Sequence, residues 1–168
     1  MLRASLVAIP ALLLCACDRL PETFTVPVQR TALPAAPSIS MSDPHAGEYL
    51  AQGFREHSEG PWRWAHDHPV LRFHLPRMDT ATFHMTFTQP DSTFQLIGPL
   101  TLTVLVNGHA IDRARFDKPG EQQYTHEVAV EYLKPDAVNL VAIEPDKTAT
   151  PNPGEKLSFV LLRAGFTE

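Results

Sequence analysis

Cysteine is scarce in this 168-residue chain, and none follows Cys17. Any domain beyond that point therefore has no thiol for a disulfide, a metal site or a nucleophile. Such a domain must be held together by its hydrophobic core alone. The remaining stretch, about 150 residues, is long enough to form one such domain.

Concentrated basic charge is also missing, since 14 Lys and Arg stand against 19 Asp and Glu. Nucleic-acid binding needs clustered basic residues that release counterions, so this composition argues against a nucleic-acid partner. The sequence has no Gly-x-Ser-x-Gly elbow, no phosphate-binding glycine loop and no His-Glu-x-x-His motif. We therefore predict a protein that is not an enzyme and that carries no cofactor.

The first seventeen residues have the parts of a secretory signal: Arg3, an apolar stretch from Leu6 to Leu14, and a small residue before Cys17. The apolar stretch is too short to span a bilayer. It resembles the lipobox of bacterial lipoproteins, with Leu14 and Ala16 at the positions that precede the lipidated cysteine. An unlipidated secretory signal is the alternative.

The lipobox resemblance implies that Cys17 receives diacylglycerol and a further acyl chain such as palmitate. Each buried methylene contributes roughly 0.8 kcal/mol, so several chains would anchor the protein to a membrane. We expect an envelope lipoprotein that faces the periplasm or the cell exterior. The sequence leaves open whether the inner or the outer membrane holds it.

Residues 18–44 are rich in proline and have little periodic hydrophobicity. Proline-rich segments stay extended, so this stretch is predicted to be a tether that follows the signal at residues 1–17. Within it, Phe24-Thr25-Val26 alternates like a short strand that could dock at a sheet edge. The folded domain is predicted to span residues 45–168.

Hydrophobic patterning in this domain predicts strands almost throughout. Alternation predicts strands at 70–75, 81–87 and 126–132, a β-branched segment predicts a strand at 100–106, and apolar runs predict strands at 138–143 and 157–162. The last two are expected to be central or buried on both faces. Asn107-Gly108 predicts a type I′ hairpin turn, and 89–92 a turn, whereas Ala46–His57 alone hints at helix. We predict an all-β fold, an antiparallel β-sandwich of jelly-roll type.

Four segments, taken in order, resemble the galactose-binding-domain-like β-sandwiches. They are Gly60-Pro61-Trp62-Arg63-Trp64, the Leu-x-Phe-x-Leu strand at 71–75, the strand that ends in Val106-Asn107-Gly108, and Leu133 to Leu140, which contains Asn139. That superfamily includes carbohydrate-binding modules and accessory domains of glycosidases. The resemblance implies a fold more than a ligand.

The candidate binding residues are Trp62, Arg63, Trp64, His66 and His68. On a strand, the two tryptophans and two histidines would share one face, where indoles can stack on sugar rings. Packing of the indoles into the core is the competing explanation, and Tyr49 and Phe54 nearby could extend either arrangement. We considered a metal at His66-x-His68, with His45, His57 or Glu59 as a further ligand, but predict none.

Two functions fit these features. The first is a lipid-anchored envelope protein whose β-sandwich binds a glycan or polysaccharide through the Trp62–His68 strand. The second is a structural or assembly lipoprotein whose sandwich binds another envelope protein through an edge or an apolar face.

Overall fold

A computed structural model of the chain describes residues 36–57 and 59–168. The predicted signal, Cys17, most of the predicted tether and the Phe24–Val26 segment lie outside the described residues. In the described ranges, no helix is both long and apolar enough to cross a membrane.

The described chain consists mainly of strands. The strands are β1 Ser38–Ser40, β2 Leu50–Phe54, β3 Arg63–Leu75, β4 Thr82–Gln89, β5 Leu100–Val106, β6 His109–Phe116, β7 Gly120–Glu127, β8 Ala137–Pro145, β9 Ala149–Asn152, β10 Glu155–Leu157 and β11 Val160–Thr167. One short helix, α1, covers Asp91–Ile97, and single 3-10 turns cover Ala46–Tyr49 and Val130–Tyr132.

Seven strands form one continuous hydrogen-bonded path in the order β6-β5-β8-β3-β11-β4-β7. β2 pairs with β3, β1 pairs with β11, and all these pairs are antiparallel. The long strand β3 belongs to two layers, because its Arg63–Trp64 end pairs with β11 whereas residues 70–75 pair with β8. Pro69, which has no backbone N–H, lies between these two paired regions, so its presence costs no hydrogen bond of either strand pair.

Aromatic contacts join the two layers across the core. The ring of Phe73 on β3 lies 5.6 Å from that of Phe166 on β11, and Phe116 on β6 meets Phe87 on β4 edge-on at 4.8 Å. Such tilted and edge-to-face pairs are the favoured arrangements of buried rings. The prediction of an all-β, antiparallel β-sandwich is confirmed.

The β5–β6 hairpin forms where the sequence predicts it. β5 covers the predicted range 100–106, and Asn107 and Gly108 both have positive φ, at 51° and 88°. A type I′ turn requires this conformation at both of its central residues.

Other local predictions are wrong. The strand predicted at 126–132 ends at Glu127, and Val130–Tyr132 forms a 3-10 turn instead. The predicted helix at Ala46–His57 is one 3-10 turn followed by β2. The predicted turn at 89–92 contains the start of α1, because Pro90 is extended and the chain becomes helical at Asp91.

Strand β8 is central in its sheet but is not buried on both faces. Val138 and Leu140 are 42% and 45% exposed, whereas the alternating residues Asn139 and Val141 are fully buried. An apolar run can therefore belong to a strand that buries only one face.

The sandwich begins earlier in the chain than the predicted boundary at residue 45. Ser38–Ser40 pair with β11, and the side chains of Ile39 and Met41 are buried. Gly165 permits this contact, because a Cβ there would lie 2.4 Å from the Cα of Ser38. The last part of the predicted tether is thus a strand of the domain.

Candidate functional site

The five candidate residues lie at the start of β3, but they do not form a single row. Trp64, His66 and His68 alternate with the buried Ala65 along the strand, as period-2 geometry requires. Trp62 precedes the strand, and its ring packs on Gly60 so closely that a Cβ there would lie 2.5 Å from it. Arg63 donates to the carbonyl of Trp62 at 3.2 Å.

The short strand β10 lies beside this part of β3. The Nδ1 atom of His66 is 2.9 Å from the carbonyl oxygen of Lys156, to which it donates. The ammonium group of Lys156 lies 3.1 Å from the carboxylate of Asp67 and lowers the pKa of that group. These contacts fix the orientation of the His66 ring.

A concave surface lies along the segment that joins β2 to β3, and we call it the β2–β3 groove. It consists of two cavities of about 440 Å³ and 620 Å³ that share the lining residues Phe54, Arg55 and Glu56. The smaller is completed by β2 and Arg63, and the larger by His57, Glu59, His66 and Glu155.

Gly53 determines how β2 leads into the groove. Its φ is +73°, and a Cβ on it would overlap the carbonyl group of His68 on the neighbouring strand. Glycine alone tolerates both the conformation and the close approach. The register between β2 and β3 shifts on both sides of Gln52, and Phe54 and Arg55 at the end of β2 line the groove.

Arg55 connects the two walls of the larger cavity. Its Nε donates to the carboxylate of Glu155 at 3.1 Å, and its guanidinium also contacts the carboxylate of Glu59. Hydrogen bonds from Arg55, and then from Asn152, lower the pKa of Glu155. The same carboxylates raise the pKa of Arg55. The pair therefore stays ionised and ties the β2–β3 loop to β10.

The groove includes only part of the predicted patch. Arg63 lines the smaller cavity and His66 the larger one, while Trp62, Trp64 and His68 line neither of these two cavities. Arg55 and Glu155 are groove residues that the sequence did not indicate, because their contact joins positions 100 residues apart. Tyr49 belongs to the core, with its ring 5.7 Å from that of Phe73.

The alternative metal site at His66 lacks a converging ligand set. In the part of the chain that the structure describes, no three side chains of His, Cys, Asp or Glu are placed to hold a metal ion. His45, considered as a further ligand, lies 3.1 Å from the carboxylate of Glu48 in its own 3-10 turn.

No protein-family model matches this sequence, and no curated protein matches it. Solved structures with similar folds include a family 35 carbohydrate-binding module from an environmental isolate, at 17% identity and a TM-score of 0.39. The similarity covers 70% of this chain and 91% of that module. The GH26-CBM35 β-(1,4)-mannanase of Podospora anserina is similar at 12% identity and a TM-score of 0.40, over 78% of this chain.

A GH115 4-O-methyl-α-glucuronidase with specificity for decorated arabinogalactans is also similar, at 11% identity and a TM-score of 0.45 over 66% of this chain. This chain spans only 14% of that enzyme and 27% of the mannanase. The likeness to all three is too distant to assign a ligand.

Proposed function

We propose that this chain is a lipid-anchored envelope protein whose β-sandwich binds a glycan without catalysis, through the β2–β3 groove. The observation that carries the proposal is the groove itself. It is an open cleft beside the start of β3, with hydrogen-bonding groups on both walls, and Phe54, which is partly buried against the hydrophobic core, lines each cavity.

The size and chemistry of the groove suit a sugar chain. Ligand clefts commonly have volumes of about 300 to 1,000 Å³, a range that includes both cavities. Carboxylates, the guanidinium of Arg63 and the imidazole of His66 offer acceptors and donors for hydroxyl groups. Phe54 packs partly against the core, and its remaining surface offers an apolar contact for the C–H face of a sugar ring.

The groove and the point where the chain joins the domain lie at different positions along β11. β1 begins opposite Gly165, near the end of β11, whereas the groove lies where β11 begins and β3 starts at Arg63. Along β11, five residues separate Gly165 from Val160, a distance of about 16 Å at about 3.3 Å per residue. The larger cavity would therefore lie about that far from the point where a tether joined at Ser38 enters the domain.

The lipobox resemblance at Leu14, Ala16 and Cys17 supports lipid anchoring. Acyl chains on Cys17 would hold the protein at a membrane surface of the cell envelope, facing the periplasm or the exterior. Within this proposal the partners are the membrane, through the lipid, and a glycan. The acidic composition gives no support to a nucleic-acid partner.

An exposed apolar strip favours a second function, in which the sandwich binds another envelope protein. Val138 and Leu140 are exposed on the outer face of β8, and Val130 is 43% exposed in the preceding 3-10 turn. Exposed apolar groups that adjoin one another are typical of protein interfaces.

A glycan-binding screen tests the first function. Immobilised neutral, N-acetylated, amino and uronic polysaccharides would be probed with the full mature protein and with His66→Ala. We expect wild-type protein to bind at least one class and His66→Ala to bind more weakly. His109→Ala, at the far hairpin turn, is the matched control and should bind like wild type. Failure of wild-type protein to bind any class would overturn the proposal.

A further inference from the structure

The larger cavity of the groove has an unequal balance of charge. Three carboxylates, those of Glu56, Glu59 and Glu155, line it together with a single guanidinium, that of Arg55. Among these four side chains, negative charges exceed positive charges by two. The cavity therefore has an electrostatic preference of its own, apart from its shape.

The one guanidinium of this cavity is already engaged. Arg55 contacts the carboxylates of both Glu59 and Glu155, so little of its charge is available to an anionic ligand. The ammonium group of Lys156 nearby lies 3.1 Å from the carboxylate of Asp67 and is likewise paired. Neither cation is therefore free to pair with the carboxylate of a sugar.

The smaller cavity does not reverse this balance. Arg55 and Arg63 both line it, against the single carboxylate of Glu56. Because Arg55 is already paired with Glu59 and Glu155, the charges of Arg63 and Glu56 are left to offset one another. The groove as a whole is thus acidic in its larger part and close to neutral in its smaller part.

We infer that the groove selects glycans that carry protonated amino groups over neutral glycans, and excludes polyuronates. The inference rests on the proposed glycan-binding function and names its ligand class. An ammonium group in the larger cavity would be attracted by Glu56, Glu59 and Glu155, whereas a uronate carboxylate would meet a net repulsion, because Arg55 offsets only one of the three negative charges. The apolar ring of Phe54 serves either sugar equally, so charge sets the preference.

A matched series of sugars isolates the effect of charge. Partially deacetylated and fully acetylated β-1,4-N-acetylglucosamine oligomers of equal length share one backbone, and alginate oligomers supply the polyuronate. Dissociation constants for full mature protein would be measured by calorimetry. We expect the deacetylated oligomers to bind about three- to tenfold more tightly than the acetylated ones, because partly exposed charge pairs contribute modestly. The preference should shrink as salt is added.

Glu155→Gln tests the assignment of that preference to the cavity. It removes one carboxylate and releases Arg55, so the preference for the deacetylated oligomers should fall to near equality. Glu127→Gln is the control: Glu127 is exposed at the end of β7 and lines neither cavity, so its substitution makes the same change in net charge and should keep the preference. Thermal unfolding of both variants checks that each is folded.

The outcomes separate the two proposals. Tighter binding of deacetylated oligomers that is lost in Glu155→Gln supports the inference. Equal binding of all three sugars, tighter binding of alginate, or an equal effect of Glu127→Gln overturns the inference but leaves glycan binding intact. Binding of no sugar in the series or in the wider screen overturns the proposed function itself.

Discussion

The side-chain nitrogen of Asn107 donates a hydrogen bond to the side-chain oxygen of Asn139, at 2.8 Å. Asn139 is fully buried, and its own amide donates to the carbonyls of Lys134 and Ala137. Its oxygen also accepts the backbone N–H of Lys134 at 2.7 Å. The two asparagines thus tie the β5–β6 hairpin to the start of β8.

We predict that Asn139→Ala destabilises the domain by about 3 kcal/mol, because several buried backbone groups lose their partners. Chemical unfolding of wild-type and variant protein measures the loss. Asn152→Ala is the control, since Asn152 is exposed and should cost less than about 0.5 kcal/mol. Similar losses in both variants would show that the Asn139 network does not stabilise the fold.

The buried tyrosine of β7 predicts a stability change at alkaline pH. Burial, and next the carboxylate of Asp112, raise the pKa of Tyr124 above its usual value of 10.0. The folded chain holds the phenolic proton of Tyr124 more tightly than the unfolded chain does. The resulting stabilisation is therefore complete below the unfolded-state pKa and is lost as the pH rises through the folded-state pKa. We predict that Tyr124→Phe reduces the decline in unfolding free energy above about pH 10.

Tyr49 has a raised pKa as well, so part of the alkaline decline should remain in Tyr124→Phe. Unfolding free energies measured at intervals across that pH range provide the slope. A variant with the same slope as wild type would refute the role given to Tyr124.

The ion pair across the groove predicts a change at acidic pH. Arg55 lowers the pKa of Glu155, so the stabilisation from this pair is present above the unfolded-state pKa and is lost as the pH falls through the folded-state value. In Arg55→Gln we expect the pKa of Glu155 to rise toward 4.5, as read from carboxyl carbon shifts. Asn152 should keep part of the depression.

Lys156→Gln is the control for this titration. It should raise the pKa of Asp67, whose main partner is Lys156, and leave that of Glu155 depressed. An unchanged pKa of Glu155 in Arg55→Gln would mean that the two walls of the groove are not joined by this pair in solution.

The lipobox resemblance predicts the behaviour of Cys17→Ser. Without the thiol no diacylglycerol can be attached, so unlipidated precursor should accumulate and the lipid label should be lost. Wild-type protein should stay with membranes after a high-salt wash, and any processed variant should be released. A variant that remained in the washed membrane fraction would contradict anchoring through this lipid.

The sequence pattern predicted those strands that bury one strongly apolar face. β5 and its Asn107-Gly108 turn follow from β-branched residues and turn chemistry, and β4 follows from the alternation of its phenylalanines with polar residues. The hairpin turn implied the start of β6, but most of β7 was missed as a strand, because β7 buries Tyr124 alone among its side chains. Pairing with neighbours decides the structure of such segments, and one sequence does not reveal those neighbours.

The groove was predictable in part only. The strand from Arg63 to His68 was recognisable from its indoles and imidazoles, and two of its residues, Arg63 and His66, line the groove. The opposite wall comes from the β2–β3 loop and β10, where Arg55 meets Glu155 across 100 positions. Contacts of such separation depend on the folded topology and leave no local pattern.

The most direct test of the account is a titration of ¹⁵N-labelled mature protein with partially deacetylated N-acetylglucosamine oligomers. We predict that chemical-shift changes concentrate at the groove, in Phe54, Arg55, His66 and Glu155. The opposite end of the domain, around Met78, Val130 and Leu133, should be unaffected. Changes confined to that opposite end, or none at millimolar oligomer, would contradict binding in the groove.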